Sequence, residues 1–202
     1  GFRLWDLTGS SLWLDEIFAL RLARLPWSEL LPALAADKTT PPLFYAILKV
    51  WSSIGGESLL WLKLLPFFIA ILNLVPFFFL CRELRLSGFG MNLALAMMAP
   101  NSFLINYSQE LRTYSMLMLF TTVSVWIFVR YVNRPQNIWE NIALLFTANL
   151  LLVFTHYFGW LVVGVEAVFL LWLSPRRVAP LMGPALGLLI LFVPWTYMVA
   201  RV

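Results

Sequence analysis

The chain has 202 residues, of which 61% are hydrophobic and only 12% are charged, and its mean hydropathy is +0.84. Soluble globular chains are about 45–50% apolar and about 25% charged, so this composition excludes an ordinary soluble enzyme, a disordered chain and a nucleic-acid-binding protein. It predicts a polytopic membrane protein whose surroundings are a lipid bilayer. The net charge of +4 says little by its sum, because the distribution of Lys and Arg among the loops matters more. Cys81 is the one cysteine, so an internal disulfide is excluded.

Residues 1–58 differ from the rest because acidic and basic side chains alternate with Leu, Trp and Phe. Apolar residues between Asp15 and Leu34 recur at roughly helical intervals, which is typical of a helix lying along a membrane surface. A second short helix is expected to start near Ser28. The apolar run 43–54 is too short to span, so it is expected to be juxtamembrane or partly inserted. We therefore predict a long first outer loop with amphipathic juxtamembrane helices.

Residues 59–202 are predicted to form an all-α, polytopic transmembrane helical bundle. A spanning helix needs roughly 20 mostly apolar residues. The stretch 141–175 is too long for one crossing, and its polar and small residues at 155–159 mark the expected turn. Six crossings are predicted, at about 60–82, 87–108, 112–131, 137–155, 158–174 and 179–198.

The positions of the cations give these crossings a direction. If residues 1–58 lie outside, the inner ends hold six arginines and the outer ends three cations. This distribution follows the positive-inside rule, so the outer face is expected to be periplasmic or extracellular. The inner set is Arg82, Arg85, Arg130, Arg134, Arg176 and Arg177, and the outer set is Lys63, Arg112 and Arg201.

Polar residues that could take part in binding or catalysis gather on the predicted outer face. They are Asp15, Glu16, Asp37, the Pro41–Pro42 pair, Lys63, Asn106, Glu110, Arg112, Tyr114 and His156. Acids, cations and aromatic rings at a membrane boundary suit a reaction between a lipid-borne group and a molecule outside.

Each of these features also has a structural explanation. Asp15 and Glu16 can be solvated residues at a helix start, where negative charge favours the helix dipole. His156 can be a hydrogen-bonded turn residue, and Glu110 with Arg112 an ordinary surface pair. Glu166 lies inside a predicted helix, where an ionisable group needs a partner; Asn149 or His156 could supply it, in a structural or a functional role.

Five segments in order resemble bacterial members of the protein mannosyltransferase-like group, glycosyltransferase family 39 and its relatives in the GT-C superfamily, which include the lipid A aminoarabinose transferases. These segments are SLWLDEIFAL (11–20), DKTTPPLFYAILKVW (37–51), LLWLKLLPFF (59–68), PNSFLINYSQELRTYSMLML (100–119) and FTHYFGWL (154–161).

The resemblance implies a membrane glycosyltransferase of the bacterial inner membrane with its site on the periplasmic side. It would move a sugar from a polyprenyl-phosphate donor to a hydroxyl acceptor on a protein, lipid or glycan, with inversion. Asp15 matches the family's catalytic base, and Glu16 beside it would shape the acceptor site. The Pro41–Pro42 element would order the loop near the donor. Thr40 precedes it where many relatives carry His or Lys. If that residue contacts the donor phosphate in those relatives, the cation here must come from elsewhere, and Lys38 and Lys63 are the candidates.

The chemistry of a single displacement agrees with these roles, because one carboxylate takes the acceptor proton and cations stabilise the departing phosphate. Arg112 suits the second role, since a guanidinium grips phosphate oxygens in a fork. Glu110 is expected to orient Arg112 or bind sugar hydroxyls, Tyr114 to stack on sugar or lipid, and His156 to donate to phosphate. Asp15, Glu16, Asp37 and Glu110 could bind a divalent cation, but no ligand spacing requires one.

The main alternative is a transporter or flippase, which would also be polytopic with an intramembrane acid such as Glu166. The sequence shows no repeated halves, and its polar cluster lies at one face. The chain begins with Gly1 rather than Met and ends at Val202 after an apolar run, so we expect a piece of a longer protein.

Overall fold

The computed structural model describes residues 12–98, 101–173 and 175–202. Residues 1–11 of the predicted first segment, 99–100 of the second crossing and 174 of the fifth lie outside the described residues. The described part is all-helical and contains no strand. Its helices are α1 (Leu14–Arg24), α2 (Trp27–Asp37), α3 (Leu43–Gly55), α4 (Leu59–Leu72), α5 (Leu74–Glu83), α6 (Gly88–Met98), α7 (Ser102–Gln109), α8 (Tyr114–Asn133), α9 (Ile138–Thr155), α10 (Gly159–Leu173) and α11 (Ala179–Arg201).

Four helical segments of the described residues are long and apolar enough to cross a membrane. They are Leu59–Glu83, which joins α4 and α5, and the helices α8, α9 and α11, with 25, 20, 18 and 23 residues. At about 1.5 Å per residue, each covers most or all of the roughly 30 Å of a bilayer's hydrocarbon. These four segments indicate a membrane protein.

The other two predicted crossings are less regular. The range 87–108 contains the 11-residue α6 and the 8-residue α7, and the range 158–174 contains the 15-residue α10. The predicted turn at 155–159 lies where α9 ends and α10 begins. The count of six membrane crossings stays a prediction.

Contacts between helix termini define two opposite ends of this part of the chain. At one end, the Asn133 side chain donates to the Glu83 carbonyl at 3.0 Å, and the Tyr131 hydroxyl donates to the Arg177 carbonyl at 2.7 Å. Arg134 also pairs with Glu83 at 2.5 Å. Three of the six predicted inner-face arginines therefore lie near one another: Arg134, Arg177 and Arg130, which is on the last turn of α8. We call this end the arginine end.

The opposite end contains the start of α8 and the end of α9, together with α1, α2 and α3. Its core is a cluster that includes the fully buried leucines Leu34 of α2, Leu48 of α3, Leu62 of α4 and Leu111 of the turn before α8, joined by Val153 of α9 and Trp195 of α11. Burying a leucine side chain stabilises a fold by roughly 1.5–3 kcal/mol where water is the alternative. This cluster fixes the short helices against the ends of the long ones.

A tryptophan pair joins α3 to α4. The Trp51 indole N–H donates to the Trp61 carbonyl at 2.8 Å, and the Trp61 indole N–H donates to the Trp51 carbonyl at 2.9 Å. The two rings stack with centroids 4.3 Å apart. Gly55 allows this approach, because a Cβ there would lie 2.0 Å from the Trp61 ring.

Glu166 has the partner predicted for it. Its Oε2 accepts from the Asn149 amide at 3.0 Å, which confirms Asn149 as that partner. Ser124 of α8 is a second partner, at 2.6 Å from Oε1, that the sequence analysis does not predict.

Candidate functional site

A polar cavity of about 220 Å³ opens where α1, α3 and the turns before α8 and after α9 meet. It brings together four of the predicted site residues, Asp15, Asp37, Arg112 and His156. These residues are separated by up to about 140 positions in the sequence, so the tertiary fold assembles them. The remaining lining residues are Phe18, Ala19, Thr39, Thr40, Phe44, Tyr45 and Thr113.

Asp15 and Arg112 form an ion pair at the cavity wall, with Nη1 3.0 Å from Oδ2. Their side chains are 45% and 31% exposed, so neither charge is sealed in the protein. The Arg112 guanidinium also lies 5.3 Å from the Trp13 ring centroid and 4.9 Å from that of Tyr114. The two aromatic faces help to hold the cation in place.

Glu16 lies behind this pair and does not line the cavity. Only 2% of the residue is exposed. Its Oε1 accepts from the Leu111 N–H at 2.7 Å, and its Oε2 accepts from the Trp13 N–H at 3.1 Å. One carboxylate thus fastens the turn that carries Arg112 to the start of the helix that carries Asp15.

Glu110 also lies outside the cavity lining and is half-buried. Burial raises the pKa of its carboxyl, Arg112 opposes that rise, and the negative charges of Glu16 and Asp15 add to it. Its backbone carbonyl accepts from the Arg112 N–H at 2.8 Å, which closes the tight turn before α8.

His156 follows the last residue of α9, and its ring packs 4.7 Å from the Phe158 ring and 6.5 Å from that of Tyr114. Burial, assisted by the positive charge of Arg112, lowers the pKa of the imidazole. Its Nδ1 accepts from the Phe158 N–H at 3.1 Å. The neutral ring therefore carries its hydrogen on Nε2, which makes that nitrogen a donor.

The segment between α2 and α3 forms another wall of the cavity. Asp37 accepts a hydrogen bond from the Thr39 hydroxyl, and the Thr40 and Tyr45 hydroxyls are 2.9 Å apart. Burial raises the pKa of the Tyr45 phenol. Pro41 is buried at this wall, where its fixed φ restricts the loop.

An apolar cavity of about 530 Å³ lies on the other side of the same segment. Pro42 and Leu43 line it, whereas Thr40 and Phe44 line the polar cavity. Its other walls come from α2, α3, α9 and α11, through Trp27, Leu30, Leu31, Ala46, Leu150, Leu151, Phe154 and Leu191. The segment 40–46 therefore separates a cavity lined by charged side chains from an apolar cavity.

Besides Glu16, Glu110 and Pro41, three more predicted site residues do not line the polar cavity. Tyr114 contacts it indirectly by stacking on Arg112, and Pro42 faces the apolar cavity. Lys63 is buried within α4 with 3% exposure. In the described ranges no group of three or more His, Cys, Asp or Glu side chains is arranged to hold a metal ion, so Asp15, Glu16, Asp37 and Glu110 do not converge on one.

Sequence reasoning missed three contributors to this site. Trp13 stacks on Arg112, Tyr45 pairs with Thr40, and Thr113 lines the wall. Trp13 stands two residues before Asp15, which is the signal that could have found it. Tyr45 and Thr113 carry no such signal, because their roles depend on how α3 and α8 pack.

Over the described residues, the chain is all-helical, with four helical segments long and apolar enough to span a membrane and a polar cavity at the helix ends. Comparison with protein-family models, with curated proteins and with solved structures gives no match.

Proposed function

We propose that this chain is the membrane part of a glycosyltransferase that moves a sugar from a polyprenyl-phosphate donor to a hydroxyl acceptor on the outer, periplasmic or extracellular face. The observation that carries the proposal is the Asp15–Arg112 pair at a polar cavity, with a large apolar cavity on the other side of the 40–46 segment. A polyprenyl phosphate has the same two-part chemistry, an anionic head on an apolar chain.

Arg112 is the proposed ligand of the donor phosphate. Its guanidinium already holds one carboxylate, and an Arg fork binds phosphate oxygens in the same planar geometry. When the donor phosphate takes the place of the Asp15 carboxylate, the cation pairs with the single negative charge of the phosphodiester and Asp15 is released. His156 Nε2 is a second donor on the same cavity, suited to a phosphate or sugar oxygen.

Asp15 is the proposed general base. The acceptor oxygen bonds to the anomeric carbon as its proton passes to the Asp15 carboxylate, and the electron pair of the breaking bond leaves with the polyprenyl phosphate. Because the attack and departure occur on opposite sides of one carbon, the product is inverted. Phosphate is a good leaving group, so a second carboxylic acid of the kind used in glycoside hydrolysis is not needed.

The experiment that tests this function measures transfer of radiolabelled sugar from a synthetic polyprenyl-phosphate sugar to an acceptor by the full-length protein in lipid. Asp15→Asn should lower the rate by about 10²–10⁴-fold, the usual contribution of a general base. Glu29→Gln is the matched control, because Glu29 is exposed on α2 and does not line the cavity. Equal transfer by Asp15→Asn and Glu29→Gln would contradict the proposed base.

A transporter is the alternative that one observation favours, namely the buried acid Glu166 in the body of the helices. Glu166 lines a different cavity from Asp15 and Arg112. The same preparation distinguishes the two functions, because a transporter would carry the labelled solute into sealed vesicles without forming a glycosidic bond.

A further inference from the structure

Three polar side chains meet away from the candidate site, each near the middle of its helix. Ser124 of α8, Asn149 of α9 and Glu166 of α10 are all buried. The Ser124 hydroxyl oxygen lies 2.5 Å from Asn149 Oδ1 and 2.6 Å from Glu166 Oε1. The Asn149 amide nitrogen lies 3.0 Å from Glu166 Oε2. The three groups close a ring of three contacts.

An ionised Glu166 cannot satisfy this ring. The Ser124 hydroxyl has one hydrogen, and the Asn149 amide presents its nitrogen to one neighbour and its oxygen to the other. If Ser124 donates to Asn149, then the Ser124–Glu166 contact has no hydrogen unless Glu166 supplies it. If Ser124 donates to Glu166, its own oxygen faces the Asn149 oxygen at 2.5 Å with nothing between them.

Rotating the Asn149 amide by about 180°, which exchanges its oxygen and nitrogen, does not remove the need for a proton on Glu166. The nitrogen then donates to Ser124, and the Ser124 hydroxyl donates to Glu166 Oε1. The amide oxygen now faces Glu166 Oε2, and the hydrogen between them again has to come from Glu166. One proton on the Glu166 carboxyl completes the ring in either orientation.

The surroundings of Glu166 offer nothing to offset a negative charge. It borders a cavity of about 180 Å³ whose lining, apart from Asn149, is apolar. Helix α8 contributes Phe128 there, and α11 contributes Ala185 and Leu188. Within the described part of the chain, no other Asp, Glu, Lys, Arg or His lines this cavity. Burying an unpaired carboxylate in such surroundings is strongly unfavourable.

We propose that Glu166 is a proton-binding site, held as a neutral carboxylic acid at neutral pH, and that the adjoining cavity admits small apolar reagents to it. The bound proton completes the ring that joins α8, α9 and α10. Losing the proton would leave two oxygens facing each other in the middle of the helices. The proposal is independent of the proposed transferase activity, because Glu166 and Asp15 line different cavities.

Diisopropylcarbodiimide, a small apolar reagent, tests both parts. The acid proton passes to one carbodiimide nitrogen while the carboxyl oxygen bonds to the central carbon, and an acyl shift to nitrogen then gives a stable N-acylurea. No atom leaves, and an ionised carboxylate cannot supply the proton. An exposed Glu with a pKa of about 4.3 is protonated in only roughly one molecule in 500 at about pH 7.

The full chain in lipid is treated at about pH 7 and its peptides are analysed by mass spectrometry. Glu166 should be modified at least about tenfold more than the exposed Glu29 and Glu140, since a tenfold ratio corresponds to one pKa unit. Infrared spectra of the unmodified protein should contain a protonated-carboxyl C=O band that Glu166→Gln removes and Glu140→Gln retains. Glu166→Gln should fold normally, because its amide N–H replaces the acid O–H in the ring.

Each measurement can overturn its own part of the proposal. A carboxyl band of equal intensity in the native chain and in Glu166→Gln would show that Glu166 does not carry the proton, and the proton site would be abandoned. If the band disappears in Glu166→Gln but the carbodiimide does not modify Glu166, the proton site is supported and the proposed access of small reagents through the cavity is wrong.

Discussion

Asp15 and Glu16 are neighbours on α1, yet successive residues of a helix point about 100° apart and here meet different surroundings. Asp15 faces the cavity and pairs with Arg112, whereas Glu16 turns inward and accepts two backbone N–H groups. A carboxylate at a helix start that satisfies free N–H groups is the usual arrangement of a capping residue. The two neighbouring acids therefore differ in their contacts: Asp15 lines the polar cavity, and Glu16 holds two backbone N–H groups.

Replacing Glu16 by Gln should destabilise the protein. The amide has one acceptor oxygen, so either the Leu111 or the Trp13 N–H loses its partner, and Leu111 is fully buried. A buried donor left without an acceptor costs about 1–3 kcal/mol. Denaturant titration in detergent micelles should show that loss for Glu16→Gln and less than about 0.5 kcal/mol for the exposed control Glu29→Gln. Equal stability of the two variants would show that the Glu16 contacts add nothing.

His156 should make stability depend on pH in a known direction. Its pKa is lowered in the folded chain, so the unfolded chain binds more protons as the pH falls through about 6.5. The stabilisation is thus complete above about pH 6.5 and is lost as the pH falls toward the lower folded-state value. His156 is the one histidine of the chain, so His156→Asn isolates the effect, and its unfolding free energy should decline less over that range. Parallel pH profiles for both proteins would contradict the lowered pKa.

The individual site residues were predictable to the extent that their chemistry is local. Asp15, Asp37, Arg112 and His156 stand out because charged and polar groups are rare at the ends of apolar runs, and the structure brings them to one cavity. Glu16 and Lys63 are equally conspicuous in the sequence, but packing buries both. Which face of a helix turns inward depends on its neighbours, and the residue types alone do not contain that information.

At the scale of helices, α3 and α4 are joined by the reciprocal tryptophan pair, which gives a 13-residue helix a fixed position on a longer one. Each indole N–H donates to the other residue's carbonyl, so the pair satisfies both donors of two half-buried rings. Gly55 is the position on which this approach depends.

Gly55→Ala should separate the two rings. The added methyl would lie within 2.5 Å of three Trp61 ring atoms, so either the indole or α3 must move. Forcing an extra methyl into a packed contact costs typically about 1–3 kcal/mol. Gly164→Ala on α10 is the matched control, because its Cβ would meet nothing within 4 Å. Thermal unfolding should show a lower midpoint for Gly55→Ala alone, and an unchanged midpoint would mean that the pair is loosely packed.

The helices themselves were predictable where apolar runs are long, and their interruptions were not. The sequence analysis predicts one crossing at 60–82, but the structure divides it at Asn73 into α4 and α5. Pro76 explains the break, because it has no N–H to donate to the Leu72 carbonyl. The position of this proline is visible in the sequence. Whether the helix bends there depends on α8, which packs against both α4 and α5.

At the scale of the whole molecule, the path of the chain relates its two ends. Helix α5 finishes at the arginine end, where Glu83 contacts Asn133 and Arg134, and α8 starts at the cavity end with Arg112 just before it. The segment containing α6 and α7 therefore leads from one end to the other. Helix α10 does the same in the next circuit, from His156 at the cavity to Arg177 beside Tyr131. The second and fifth crossings stay predictions, and the two irregular segments are the parts of the chain on which they depend.

This path gives a topology that cysteine labelling tests directly. Ser28, Ser87 and Gln136 are all exposed, and Cys81 is buried, so single cysteines can be introduced at each position in a Cys81→Ser chain. A membrane-impermeant maleimide added to intact cells should label Ser28→Cys, at the cavity end. Ser87→Cys and Gln136→Cys, beside the arginines, should react only after the membrane is permeabilised, as the positive-inside rule requires. If Ser87→Cys and Gln136→Cys label from opposite sides, the segment containing α6 and α7 does not cross. If all three positions label from the outside, the arginine end is not cytoplasmic, and the proposed outer location of the Asp15–Arg112 site loses its basis.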